Sequence, residues 1–158
     1  SIFSMTGGSL TSNNGDLFYI TNTACEIDLS GVQLTNHDSD SYLMNICGNS
    51  ASHGWGTAGA TATGGIYADQ QELNGDIVVD TISTLTMTLK GNSTFTGTIN
   101  IVDNAQNGTA VSDNAVLTIE AGSTWNLTGD CTISSLTNNG TINFNGYTIT
   151  LADGTVLS

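Results

Sequence analysis

One cationic side chain, Lys90, serves the whole sequence of 158 residues, which holds no arginine. Fourteen carboxylates oppose it, for a formal net charge of -13. A chain without a basic patch has no means of neutralising phosphates, so nucleic acid and anionic membranes are excluded as partners. Recognition of a uronate substrate is excluded on the same ground, because a carboxylate ligand needs a spare cation. No apolar run approaches 18 residues, so nothing in the sequence inserts into a membrane. Proline is absent, and charged residues make up only 9 %, which leaves Thr, Ser, Asn and Gly to cover the surface. The three cysteines, Cys25, Cys47 and Cys131, lack the paired C-x-x-C spacing of a zinc site. No leader-like segment precedes Ser1, and a secreted protein is expected to have lost one.

What is present is alternation. Leu117 and Ile119, Trp125 and Leu127, Ile142 and Phe144, and Ile149 and Leu151 alternate with Thr, Asn or Asp over short runs. Period two marks half-buried strands. Ala-Gly, Thr-Gly-Asp, Asn-Asn-Gly and Asn-Gly break the runs with turn chemistry. An all-β chain that turns this often is a sandwich or a solenoid. Near-repeats favour the solenoid: Leu89–Phe95 matches Ile119–Trp125, and Gly97–Ile99 matches Gly129–Cys131 two residues out of step. Slippage of that kind is what stacked coils with loops of unequal length produce.

The segment Ser123–Leu151 resembles the passenger domains of autotransporter adhesins of the AIDA and pertactin-like kind. Ser123, Trp125, Gly129, Asp130, Ile133, Leu136, Gly140, Ile142 and Phe144 fall at matching places, and Cys131 stands where that pattern has Ser. The likeness is close over the last 40 to 75 residues and one of style before them. It implies a single right-handed parallel β-helix at a bacterial cell surface or outside the cell. It marks a fold and no catalytic site. The membrane barrel of that family has no counterpart here.

Read in order, Ser1–Asn14 is a strand and turn or a capping coil, and Leu17–Leu34 holds three short strands. Tyr42–Cys47 repeats the apolar run. Residues 48–75 are rich in Gly, Ala and Ser and are expected to project as a loop, with Ile66 and Leu73 marking strands at its return. Strands resume over Asp76–Leu89 and Phe95–Val102. At roughly 22 residues per coil the chain makes about seven coils, a rod of roughly 35 Å at ~4.8 Å per layer.

Few constellations carry chemistry. Glu26 with Asp28, and Asp38 with Asp40, each share a strand face, but solvated acids are the expected reading. His37 and His53 belong to no metalloprotease motif or nucleophile triad. Asp103, Asn104, Asp113 and Asn114 form at best a weak Ca²⁺ set, so no cofactor is expected. Lys90 reads as an exposed turn residue rather than a crosslinking amine. Irregular spacing argues that Thr86/Thr88, Thr94/Thr96/Thr98 and Thr148/Thr150 are ordinary outward strand residues rather than an ice-binding face. The sequons at Asn92, Asn107, Asn126 and Asn139 arise readily in such a composition. Trp55, flanked by glycines, is the one aromatic that the context exposes; with His53 and Tyr67 it makes the candidate ligand-binding set. Cys25 and Cys47, 22 residues apart, are candidate neighbours for a disulfide, against two buried thiols.

The expectation is a non-catalytic structural or adhesive solenoid, a stalk module or a subunit stacking end to end into a fibre. TITLADGTVLS (148–158) carries no helix or proline to cap the last coil, so Ile2 and Phe3 at one end and Thr155, Val156 and Leu157 at the other are the candidate assembly residues. The alternative is a β-helix that binds or hydrolyses a neutral polysaccharide, with a glycan or host surface as partner.

Overall fold

A computed structural model describes residues 1–106 and 108–158; the Asn107 sequon lies outside the described residues. The strands come in groups of three, each group ending in turns of Gly, Asn or Asp. The first group is β1 (Ile2–Thr6), β2 (Ser9–Ser12) and β3 (Phe18–Ile20). The second is β4 (Ala24–Ser30), β5 (Gln33–Asn36) and β6 (Met44–Ile46). Then follow β7 (Thr63–Asp69), β8 (Glu72–Asn74) and β9 (Ile77–Asp80), and β10 (Thr84–Lys90), β11 (Thr94–Thr96) and β12 (Ile99–Val102). The last are β13 (Ala115–Ile119), β14 (Thr124–Asn126) and β15 (Cys131–Thr132), β16 (Ser135–Asn138), β17 (Thr141–Asn143) and β18 (Ile149–Thr150), and the closing β19 (Val156–Leu157).

Every third strand pairs in parallel with its predecessor. The longest sheet runs β1-β4-β7-β10-β13-β16; a second runs β8-β11-β14-β17, and a third β3-β6-β9-β12. Shorter sheets join β2 to β5 and β15 to β18 and β19. The molecule is thus all-β, with parallel strands in stacked sheets, compatible with a β-solenoid.

Register makes the core. In the longest sheet Phe3, Ile27, Ile66, Met87, Leu117 and Leu136 are successive in-register neighbours. Leu73, Phe95, Trp125 and Ile142 do the same in the second sheet, and Met44, Ile77 and Ile99 in the third. Because side chains alternate across a strand, one apolar column per face points inward and the intervening Thr, Asn and Asp point out. Phe95 and Trp125 stack with ring centroids 5.7 Å apart, and Trp125 Nε1 donates to the Gly97 carbonyl at 3.0 Å. At roughly 25 cal/mol per Å² of buried apolar area, these columns are the main favourable term.

Carboxylates and amides hold successive layers at the corners. Asp16 Oδ1 accepts from the Tyr42 amide (2.7 Å), Asp76 Oδ1 from the Thr98 amide (3.0 Å) and Asp130 Oδ1 from the Thr148 amide (3.0 Å). Gln71, fully buried, accepts from the Val32 amide and donates to the Val32 carbonyl with its own side chain. These acids and amides close backbone groups that the short strands leave unpaired.

The expected loop of residues 48–75 is shorter. Only 47–62 are irregular, with one turn of 3-10 helix at Ala51–His53; Thr63–Asp69 is a strand in the middle of the longest sheet and Glu72–Asn74 another strand. Ile66 and Leu73, expected to mark strands at the loop's return, lie in β7 and β8, and the Gly64-Gly65 pair obscured only where β7 begins. A Cβ on Gly64 would lie 2.7 Å from Ile46 Cδ1, so the missing side chain makes room for its neighbour's methyl group. At the other end, Asp153 and Gly154 turn the chain back, and β19 runs antiparallel along β18, with Leu157 opposite Ile149. A hairpin, rather than a helix or proline, covers that strand edge.

Candidate functional site

The irregular segment after β6 is pinned from below. Asp80, at the end of β9 and buried, accepts from the Gly48 amide at 2.7 Å and from the Ile82 amide at 3.3 Å. Asn49, with no exposed surface, holds the loop itself: its Nδ2 donates to the carbonyls of Trp55 (2.8 Å) and Thr57 (3.2 Å). Its backbone pairs with Ala60 and Gly59.

This wrapping fixes His53. Asn49 Oδ1 lies 2.9 Å from His53 Nδ1. The Asn49 amide nitrogen is committed to two carbonyls, so the oxygen faces the ring and can only accept. His53 therefore carries its proton on Nδ1, and the Nε2 lone pair points outward, 3.5 Å from Tyr19 Oη. Cys47 Sγ donates to the same Tyr19 oxygen at 3.4 Å. Trp55 stacks on the imidazole at 5.0 Å and 10°, and Tyr19 meets it edge-on at 6.0 Å. Burial, with the Cys47 contact second, pushes the Tyr19 hydroxyl up to about 12. Burial also raises the Cys47 thiol, and the charges of Asp80 and Asp16 add to it.

Two of the three residues expected to bind a ligand therefore meet. Trp55, 53 % exposed, and His53 form one cluster, joined by Tyr19 rather than Tyr67. Tyr67 lies on β7, on the outer face of the longest sheet, with its ring over Gly65. There it borders a groove of about 370 Å³ with Glu26, Thr63 and Thr86. Glu26 and Asp28 share that face as expected, with Asp28 beside Tyr67 in register. Tyr19, Asn49 and Asp80 escaped the sequence analysis. Aligning Phe18-Tyr19-Ile20 on Met44-Asn45-Ile46, the register of β3 and β6, is the signal that brings Tyr19 beside the Cys47 end of the run.

Cys25 and Cys47 do not form a disulfide; all three cysteines are free thiols. Cys25 sits in the longest sheet beside Gly64, whereas Cys47 follows β6 in the third sheet and its amide donates to the Ile20 carbonyl. A separation of 22 residues is not the local repeat there, since Ile20 pairs with Ile46. His37 is exposed, and Asp38 spends its two oxygens on the amides of Gly15 and Asp40. Asn114, buried, donates through Nδ2 to the carbonyls of Asp80, Thr81 and Ser83. No group of three or more His, Cys, Asp and Glu side chains converges among the described residues. No helix is long and apolar enough to cross a membrane.

The assembly candidates sit at the two ends. Ile2 (71 % exposed) and Phe3 (40 %) are on β1, which has a neighbour on one side only, and Phe3 contacts Phe18 edge-on at 6.0 Å. Thr155, Val156 and Leu157 belong to the closing hairpin; Val156 is exposed and Leu157 half-buried against Ile149. No family model matches the chain, and comparison with curated proteins and with solved structures found no match.

Proposed function

We propose that this chain is a non-catalytic structural or adhesive module: a right-handed parallel β-helix of about seven coils that extends by adding further β-structure end to end. The observation that carries it is the state of the first coil. Strands β1, β2 and β3 each lie at the open edge of their sheet; Phe3 stands 40 % exposed where its column neighbours Ile27, Ile66 and Met87 are buried, and Ile2 is exposed beside it on the outer face. Such an edge, with apolar side chains beside unpaired backbone, is a template for another strand. Five successive parallel pairings stack six strands in the longest sheet, with β19 beyond them, which supports a count near seven, and the general right-handedness of parallel crossovers supports the hand. A Thr- and Asn-covered acidic surface suits a bacterial surface or extracellular setting. Two observations support the non-catalytic reading: the corner carboxylates of Asp16, Asp76 and Asp130 accept from backbone amides, and burial raises the Cys47 thiol.

Negative-stain electron microscopy over a range of concentrations, with sizing chromatography, tests this. Long uniform fibres that vanish in Phe3→Lys are expected. A monodisperse monomer at every concentration would overturn the end-to-end reading.

One observation favours a second reading, a binder of neutral glycans. Trp55 has one ring face on His53 and more than half its surface in solvent, the disposition that a pyranose ring stacks on. Glycan-array binding lost in Trp55→Ala would carry it.

A further inference from the structure

The two ends of the stack differ from its sides in charge. Of the fourteen carboxylates, all but Asp16 and Asp153 fall between Glu26 and Asp130. Those two are committed to their own coils. Asp16 accepts from the Tyr42 amide and from Asn45 Nδ2, and Asp153 accepts from the Thr155 amide. The middle layers of two copies therefore repel one another side to side, whereas a first and a last coil meet with little repulsion.

The ends also match column for column. At the start, Phe3, Leu10 and Phe18 stand one on each face, beside Ile27, Leu34 and Met44 of the next layer. At the finish, Leu136, Ile142 and Ile149 stand one on each face, beside Leu117, Trp125 and Cys131 of the layer before. Leu136 and Ile142 are only half-buried, and β16 and β17 lie at the edges of their sheets. Ile149 differs. It has no exposed surface, and Leu157 of β19 lies opposite it. The two-residue β19 thus occupies the place beyond β18 that the next layer of the third face would take.

We propose, resting on the end-to-end reading above, that the last coil docks the first coil of a second copy, and that the β18–β19 hairpin is a latch that must leave first. In the register of the existing layers, the incoming β1 continues β16 with Phe3 over Leu136, and the incoming β2 continues β17 with Leu10 over Ile142. The incoming β3 continues β18 with Phe18 over Ile149, where Leu157 now stands. The exchange replaces a short antiparallel pairing by three parallel ones, each bringing an apolar side chain onto its column. A head-to-tail contact of this kind does not close on itself and builds a filament.

A reversible staple tests the latch in the full chain. The Leu151 amide donates to the Thr155 carbonyl, so the next pair, Thr150 with Val156, is of the non-hydrogen-bonded kind whose side chains lie closer. Thr150→Cys with Val156→Cys, oxidised, should lock β19 in place and stop fibre growth in electron microscopy and light scattering; reduction should restore it. Wild type carried through the same oxidation should grow in both states. Leu157→Gln, which loosens the latch without a crosslink, should lower the concentration at which fibres appear about tenfold. Far-ultraviolet circular dichroism confirms that each variant is folded. Fibres that grow equally from stapled chains, or a Leu157→Gln threshold equal to that of wild type, would overturn the latch and leave end-to-end assembly standing. Dimers that persist in stapled chains would overturn the head-to-tail contact, because two first coils would then be docking on each other. No fibres from any variant would overturn both.

Discussion

The middle of the stack and its first coil are built from the same alternation, yet they differ in what covers them. In the middle, Phe95 and Trp125 lie in successive layers of one column between Leu73 and Ile142, each with an in-register neighbour on both sides, and neither retains accessible surface. In the first coil, Phe3 and Met5 have a neighbour on one side only, and Phe3 keeps 40 % of its surface. Hydrophobic stabilisation scales with area removed from water, so the same residue type contributes several times more in an inner layer than in an end layer. Local stability should therefore fall toward Ser1, and the end coil should be the part whose energetics change when something docks on it.

Truncating the deepest side chain gives the largest effect. Trp125→Ala removes the stack on Phe95 and the bond to Gly97, and should lower unfolding free energy by about 3–5 kcal/mol in urea titrations. A loss under about 1 kcal/mol would mean that the column collapses around the gap and that the inner layers are not close-packed. Gln71→Ala comes next. It leaves the Val32 amide without its partner, and a cost of about 1–3 kcal/mol is expected in the same assay.

Smaller is the pH effect at Cys131, which burial pushes up to about 11 from an ordinary value near 9. A raised thiol value favours the neutral form in the folded state. Its contribution is therefore complete below about pH 9 and is lost as pH rises toward 11. Denaturation midpoints should fall between pH 9 and pH 11, and Cys131→Ser should flatten the fall. Smallest for the isolated chain is Phe3→Ala, under about 1 kcal/mol, because much of the ring is already in water. A cost equal to that of Trp125→Ala would break the contrast between inner and end layers. A cost that grows with protein concentration would sharpen it, since it would show Phe3 buried in an assembly.

Alternation made the core legible before any coordinates. Leu117, Ile119, Trp125 and Leu127 are buried as their period predicts, and Glu26 and Asp28 share an outer face. The near-repeat of Leu89–Phe95 on Ile119–Trp125 is the register of β10 with β13 and of β11 with β14, with Leu89 beside Ile119 and Phe95 beside Trp125. Less was legible where the pattern is carried by absence. In β7, Gly64 stands where Ile20 and Ile46 fill the space and Gly65 lies under the Tyr67 ring, so only Ile66 announced the strand and its start was not legible. The candidate site was half legible: the glycines around Trp55 marked the loop, but nothing local to His53 points to Tyr19 or Cys47.

Sequence by itself determined that this chain is all-β, that its apolar residues face inward in short runs, and that its surface is acidic and poor in cations. Those properties follow from side-chain period and charge, which are local and additive. Only the tertiary structure decided which layers are neighbours, because the turns between strands vary from a few residues to the whole segment of residues 47–62. That stacking separates Cys25 from Cys47, sends Tyr67 to a different face from Trp55, and aims the free nitrogen of His53 at Tyr19. Register across a layer depends on every loop before it, and no stretch of sequence carries that sum.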